Sequence, residues 1–163
     1  MSYLARELGV RTLIDSTTLT DTNAFTAYKH GAVMASDQQL EHLCVTAGLQ
    51  SGEHLLPMAW LPEDFESALF SSPVADMVNR SSSMGLWSAL GGYFIFAQVE
   101  DVPGVRWAHI DLGDPVVENF GTGFGVPGRC TGFSVELLAT VVRNVMADDA
   151  VRQGRGGSNC SRL

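Results

Sequence analysis

Segments with strand character and segments with helix character take turns along this chain, and that alternation limits the folds open to it. "VRTLIDSTTLT" (10–20) is rich in β-branched residues and predicts a buried strand; "AVMAS" (32–36) and "VRWAHIDLG" (105–113) predict two more. Between and after them lie stretches with helical spacing. Asp37 is placed to cap "QQLEHLCVTAGLQSG", which aligns Leu40, Leu43, Cys44 and Ala47 on one face. "MGLWSALGGYFIFAQV" reads as a long apolar helix whose small residues permit close packing, and "SVELLATVVRNVMADD" as a last helix with Leu138, Val141, Val142 and Val145 on one face. The expected strands lie near 11–19, 31–35, 73–78 ("VADMVN") and 105–112, and the main helices near 37–50, 84–98 and 132–147. This order argues for an α/β three-layer sandwich: a mixed, mostly parallel sheet with helices on both faces.

Shorter pieces fit the same frame. "SYLARELG" has helical spacing that Gly9 can stop, and "NAFTAYKHG" reads as a short helix closed by Gly31. "HLLPMAW" is extended and broken by Pro57, while "LPEDFESALF" places Pro62 at a helix start with acids in the first turn. The expected organisation is one domain over 1–147. A polar, Gly-rich tail follows at 148–163.

Composition narrows the function classes. The 163 residues fit one domain with a real core, and 45% hydrophobic with 17% charged is ordinary for a globular chain. A net charge of −8 argues against a nucleic-acid partner, which needs a basic stripe. No apolar run reaches the roughly 18 residues of a membrane span. "MSYLARELGVR" lacks the apolar core and cleavage site of a secretory signal. Cys44, Cys130 and Cys160 are scattered and lack CxxC spacing, as expected for free thiols in a reducing compartment.

The residues alone offer little chemistry. His30, His42, His54 and His109 are far apart in sequence, and no HExxH occurs. The period-2 pattern puts Trp107, His109 and Asp111 on one strand face, where His109 and Asp111 read either as a satisfied structural pair or as part of a site. "GFGVPG" (123–128) matches GxGxxG, but Pro127 sits inside it and a turn-rich loop is the better reading. "SSSMG" (81–85) enters a helix, as a capping loop or as an anion-binding turn. Ser16, Ser72 and Ser134 lie in no nucleophile elbow.

Taken together, "LIDSTTLT", "SGEHLLPM", "VADMVN", "WAHIDLG" and "PGR" before a terminal helix resemble the C-terminal part of the leucyl aminopeptidase (cytosol aminopeptidase) metallopeptidases, from about Ser2 to about Val145. The resemblance implies part of an α/β catalytic domain, usually assembled as a hexamer. It also implies an activity that removes N-terminal residues from peptides with two divalent metals, zinc or manganese. The family holds those metals with a Gly-Lys-Gly-containing segment and with Asn-Thr-Asp-Ala-Glu-Gly-Arg, and neither motif occurs in these residues. The implied cofactor set is therefore none in this chain, and two divalent metals for a complete member.

What carries over is the substrate-side wall. The family's Ala-Thr-Leu-Thr-Gly-Ala loop corresponds to Thr17, Thr18, Leu19, Thr20, Asp21 and Thr22. Leu19 is kept, and Asp21 replaces a glycine whose backbone meets the substrate. Ser81, Ser82, Ser83, Met84, Gly85 and Leu86 stand where the family has Gly-Gly-Arg-x-Gly-Gly. Trp87, Ser88, Ala89 and Leu90 correspond to the small helix residues beside the family's specificity pocket, and Trp87 adds bulk there. "LGD" (112–114) replaces Ile-Ala-Gly. By the same resemblance His109 and Asp111 are framework beside the site.

Three functions follow as expectations: a degenerate aminopeptidase-like scaffold, inactive alone, with a structural or assembly role; a piece of an active enzyme that would take peptide substrates only if the upstream motifs exist; or a module binding a small ligand or partner. The expected partners are copies of itself or a larger assembly. The expected location is cytoplasmic, with Ser161, Arg162 and Leu163 as a variant of the Ser-Lys-Leu peroxisomal address.

Overall fold

The computed structural model describes residues 1–18, 29–79, 87–113, 115–117 and 128–157. Four strands form one sheet: β1 (Thr12–Thr17), β2 (Gly31–Ala35), β3 (Leu55–Pro57) and β4 (Arg106–Asp111). The spatial order is β1-β4-β2-β3. β1 runs parallel to β4 and β2 parallel to β3, while β2 and β4 are antiparallel. The sheet is thus mixed and mostly parallel.

Helices cover both faces. On one side lie α2 (Gln38–Ser51) and the long C-terminal α5 (Val135–Gly157). Their Leu40, Cys44, Ala47, Leu137, Val141 and Val145 pack on Val33, Ala108, Ile110 and Leu112. On the other side, α1 (Ser2–Arg6) and α4 (Trp87–Phe96) bring Ala5 and Ala89 against Leu13, Ala32, Met34 and Trp107. Fully burying an aliphatic side chain contributes about 1.5–3 kcal/mol, so the period-2 alternation of β2 and β4 stabilises both interfaces at once. A 3-10 turn (Pro62–Asp64) and α3 (Glu66–Leu69) close the side of α4.

Local signals explain the helix ends. Asp37 Oδ1 accepts from the Leu40 amide at 2.7 Å, and Gly52 ends α2 with φ +78°. The cap of α5 comes from far away: Glu53 Oε2 accepts from the Leu137 amide at 2.7 Å. Gly92 lets α4 lie close to the sheet. A Cβ there would stand 2.9 Å from Met34 Sδ and 3.2 Å from both the Trp107 and His109 rings.

Several expectations change. Residues 73–78 form no strand: Val74 is 93% exposed, and Ser72 Oγ accepts from the Val74 and Ala75 amides, a side-chain turn that takes the donors a ladder would need. α5 runs to Gly157, past the expected end near 147, so Asp148 and Asp149 are helical and not tail. Its buried stripe is Leu137, Thr140, Val141 and Val145, with Leu138 half-buried; Val142, expected inside, is 53% exposed. α4 is described from Trp87, and the expected first residues of that helix, 84–86, lie outside the described residues. So does most of the short helix expected over "NAFTAYKHG" and most of the loop at 121–128.

Candidate functional site

β1 and β4 finish side by side, with Thr17 opposite Asp111, Asp15 opposite His109 and Leu13 opposite Trp107. Parallel register partners share a face, so the β4 face read from sequence meets a matching face of β1. His109 and Asp111 are both buried. The partner of His109 is Asp15: its Nδ1 lies 2.5 Å from Asp15 Oδ1, and the Trp107 indole N–H donates to Asp15 Oδ2 at 2.7 Å. The imidazole also stacks on the Trp107 ring, with ring centres 6.0 Å apart and planes 18° from parallel. Trp60 and Phe96 also pack against the Trp107 ring, with ring centres 4.9 and 5.2 Å away. One carboxylate therefore serves two buried donors, which satisfies polar groups that would otherwise cost stability in the core.

Asp111 has a different task. Its Oδ1 accepts from the Gly113 amide at 3.0 Å, a turn that steers the chain out of β4. Thr17 Oγ1 is buried and has no hydrogen-bond partner among the described residues. Thr18 follows it at the surface, where β1 gives way to coil. Trp87 opens α4 partly exposed, and Ser88 is fully buried behind it. Thr18, Trp87 and Ser88 are thus located at the ends of β1 and α4. Leu19, Thr20, Asp21 and Thr22, the stretch 81–86, Asp114 and the terminal Ser161, Arg162 and Leu163 lie outside the described residues.

The charged groups are mostly engaged in holding layers together. Arg106 reaches Asp149 at 3.0 Å, Asp148 at 3.2 Å and Asp37 at 3.8 Å, and Asp148 also binds Arg152 at 2.7 Å. This staple joins β4 to α2 and α5. The expected helix end near 147 hides this staple, although an acid four residues before Arg152 signals that the helix continues. Glu136 is held below the usual carboxylate range by its hydrogen bond to Arg143. Burial, with a smaller contribution from Glu41, pushes the Cys44 thiol up to about 12. A second grouping also escaped the sequence: β2–β3 pairing brings the His30 and His54 rings to 5.6 Å.

Comparison with known proteins gives this framework a family context. The model of the cytosol aminopeptidase family, catalytic domain, matches residues 1–139. Leucine aminopeptidase 1 of Caenorhabditis elegans is 39% identical over 127 residues, which cover 76% of this chain and 26% of that protein. A probable aminopeptidase of Mus musculus, NPEPL1, is 36% identical over 154 residues, covering 91% of this chain and 27% of its own length. Among solved structures, a Caenorhabditis elegans leucine aminopeptidase superposes with a TM-score of 0.73 at 32% identity, over 87% of this chain and 28% of its own. The bottromycin maturation enzyme BotP, solved in complex with Mn, gives 0.66 at 27% identity, over 81% and 28%. The chain spans about a quarter of the length of the relatives it matches.

Proposed function

The chain belongs to the cytosol aminopeptidase family, and from that premise we propose that these 163 residues are a scaffold portion of its catalytic domain, without peptidase activity by themselves and with a structural or assembly role. One observation carries this reading. The described carboxylates that sit in or near the sheet are already committed to the frame: Asp15 to Trp107 and His109, Asp111 to the Gly113 amide, Asp37 to the α2 cap, Glu53 to the α5 cap, and Asp148 and Asp149 to Arg106. Holding two divalent ions together needs several carboxylates converging on one point. Among the described residues no three His, Cys, Asp or Glu side chains do so. The two zinc or manganese ions that the family resemblance implies therefore do not fit the described residues.

The assembly role draws on the open side of β1, which pairs only with β4 among the described residues. Beside it runs a groove of about 620 Å³ lined by Val10, Ile14, Val142 and Met146 among others. An open sheet edge with an apolar flank invites association. Light scattering should find a species larger than the monomer; a monomer that persists at high concentration counts against an assembly made of copies of this chain.

Activity is tested with purified protein, excess zinc or manganese and a leucine-amide chromogenic substrate. The expected result is no turnover above a mock purification. Chelator-sensitive turnover overturns the reading. The share of the relatives' length that is covered favours one second reading, a piece of an active dinuclear-metal aminopeptidase. Supplying the metal-motif portion of a family catalytic domain as a separate chain tests it: restored, chelator-sensitive turnover supports the piece over the scaffold.

A further inference from the structure

We propose that His30 and His54 form a surface site for one divalent transition-metal ion of the imidazole-preferring class, such as Cu²⁺, Ni²⁺ or Zn²⁺. The two residues immediately precede β2 and β3, whose parallel register pairs Gly31 with Leu55. Extended back by one position, that register makes His30 and His54 partners, and the Gly31 amide donates to the His54 carbonyl at 3.1 Å. The backbone under both rings is therefore fixed by the sheet, which is the preorganisation a chelate needs.

The separation of the rings, which stand edge to face, is that of two imidazoles on a shared ion. The centres are 5.6 Å apart and the planes stand at 84°. A metal–nitrogen bond of about 2.0 Å to each imidazole puts the centres of two rings on one ion roughly 4.5–6 Å apart. Both residues are exposed, so an ion reaches them from solvent, and turning the rings to aim a nitrogen costs only the rotamer freedom of surface side chains. The net charge of −8 favours cation approach.

The neighbours define what kind of site this is. Glu53 flanks His54, but its Oε2 already accepts from the Leu137 amide. Lys29 flanks His30 and is itself engaged. Among the described residues two imidazoles thus supply the protein ligands, and water fills the remaining positions. Such a site follows ligand softness: it selects Cu²⁺ over Ni²⁺ and Zn²⁺, and rejects Mg²⁺ and Ca²⁺, which take oxygen ligands. The other two histidines serve as internal controls. His42 is exposed on α2 without a second imidazole, and His109 is buried against Asp15.

The test uses the full chain with Cys130 and Cys160 replaced by serine, so that neither thiol competes. Zn²⁺ is titrated while the histidine ring signals are followed by NMR. The His30 and His54 signals should move together and saturate at one ion per chain, with His42 and His109 unchanged. Calorimetry with Ni²⁺ should show at least a tenfold loss of affinity in H30Q and in H54Q, and none in H42Q. Excess Mg²⁺ should not compete. Independent movement of the two rings, equal response of His42, or affinity that survives both substitutions overturns the site. The NMR readout on the chain that keeps all four histidines stands without the histidine variants, and the ion binding is read without any activity.

Discussion

His109 Nδ1 and Asp15 Oδ1 lie 2.5 Å apart across the β1–β4 pair, in the layer that α4 covers. The contact links two strands that are 94 residues apart along the chain, and the same carboxylate accepts from Trp107. Removing Asp15 leaves the Trp107 indole N–H and the His109 ring buried without their shared acceptor. We expect Asp15→Ala to lower stability by about 3 kcal/mol, the scale of two buried donors left without an acceptor. Urea denaturation of D15A, H109A and the double variant checks it. A double-variant loss smaller than the sum of the singles, by at least about 0.5 kcal/mol, is the expected sign of direct coupling. Strict additivity would mean that the pair is not coupled.

Gly92 sets the distance between α4 and the sheet. Its missing Cβ would stand 2.9 Å from Met34 Sδ and 3.2 Å from the Trp107 and His109 rings. Gly92→Ala gains about 1 kcal/mol in helix propensity but overpacks the interface by about 1–3 kcal/mol. The net expectation is a lower urea midpoint with an unchanged slope. A raised midpoint would show that the Met34 tip and both rings give way easily.

Arg106 stands among Asp37, Asp148 and Asp149. Replacing it by Met keeps the apolar stem and removes the charge. Three carboxylates then face one another without a cation in their midst, apart from the Arg152 contact to Asp148. We expect a loss of about 2–3 kcal/mol, below the full figure for a deeply buried pair because Asp149 is partly exposed. Amide exchange should also speed up around residues 146–152, the stretch of α5 that the staple holds. Unchanged exchange there would assign α5 stability to its apolar stripe alone.

Cys44 is buried in the layer of α2, and burial raises its thiol pKa to about 12. At pH 8 a pKa near that value leaves a thiolate fraction of about one in ten thousand, and only the thiolate attacks. Cys130 is exposed. Iodoacetamide on native protein at pH 8 should therefore modify Cys130 and spare Cys44, and unfolding in urea should make Cys44 reactive. Mass spectrometry of the peptides reads the difference. Rapid labelling of Cys44 in the native state would mean that the α2 layer opens readily.

The strands at 12–17, 31–35 and 106–111, the cap at Asp37 and the two faces of β4 were legible in the sequence, because each is written in residues close together along the chain, whereas the strand expected at 73–78 did not form and the extended stretch at 55–57 became β3 only by pairing with β2. Hydrophobic period and capping chemistry are local properties, and neighbours in sequence fix them. The candidate site was legible only as a resemblance. Sequence spacing grouped His109 with Asp111, yet residues two apart on a strand are separated by about 6.6 Å along it, while strands in a sheet lie about 4.8 Å apart. The nearest acid to a strand histidine is therefore a cross-strand one, and Asp15 became its partner only when the β1-β4-β2-β3 order was set. The same holds for His30 beside His54 and for Arg106 beside Asp148 and Asp149. Val142 turned outward for a related reason: a helix presents to its sheet the stripe that the sheet has room to cover, and α5 settled on Leu137, Val141 and Val145. Local pattern decided which elements exist, and packing between distant segments decided which side chains meet.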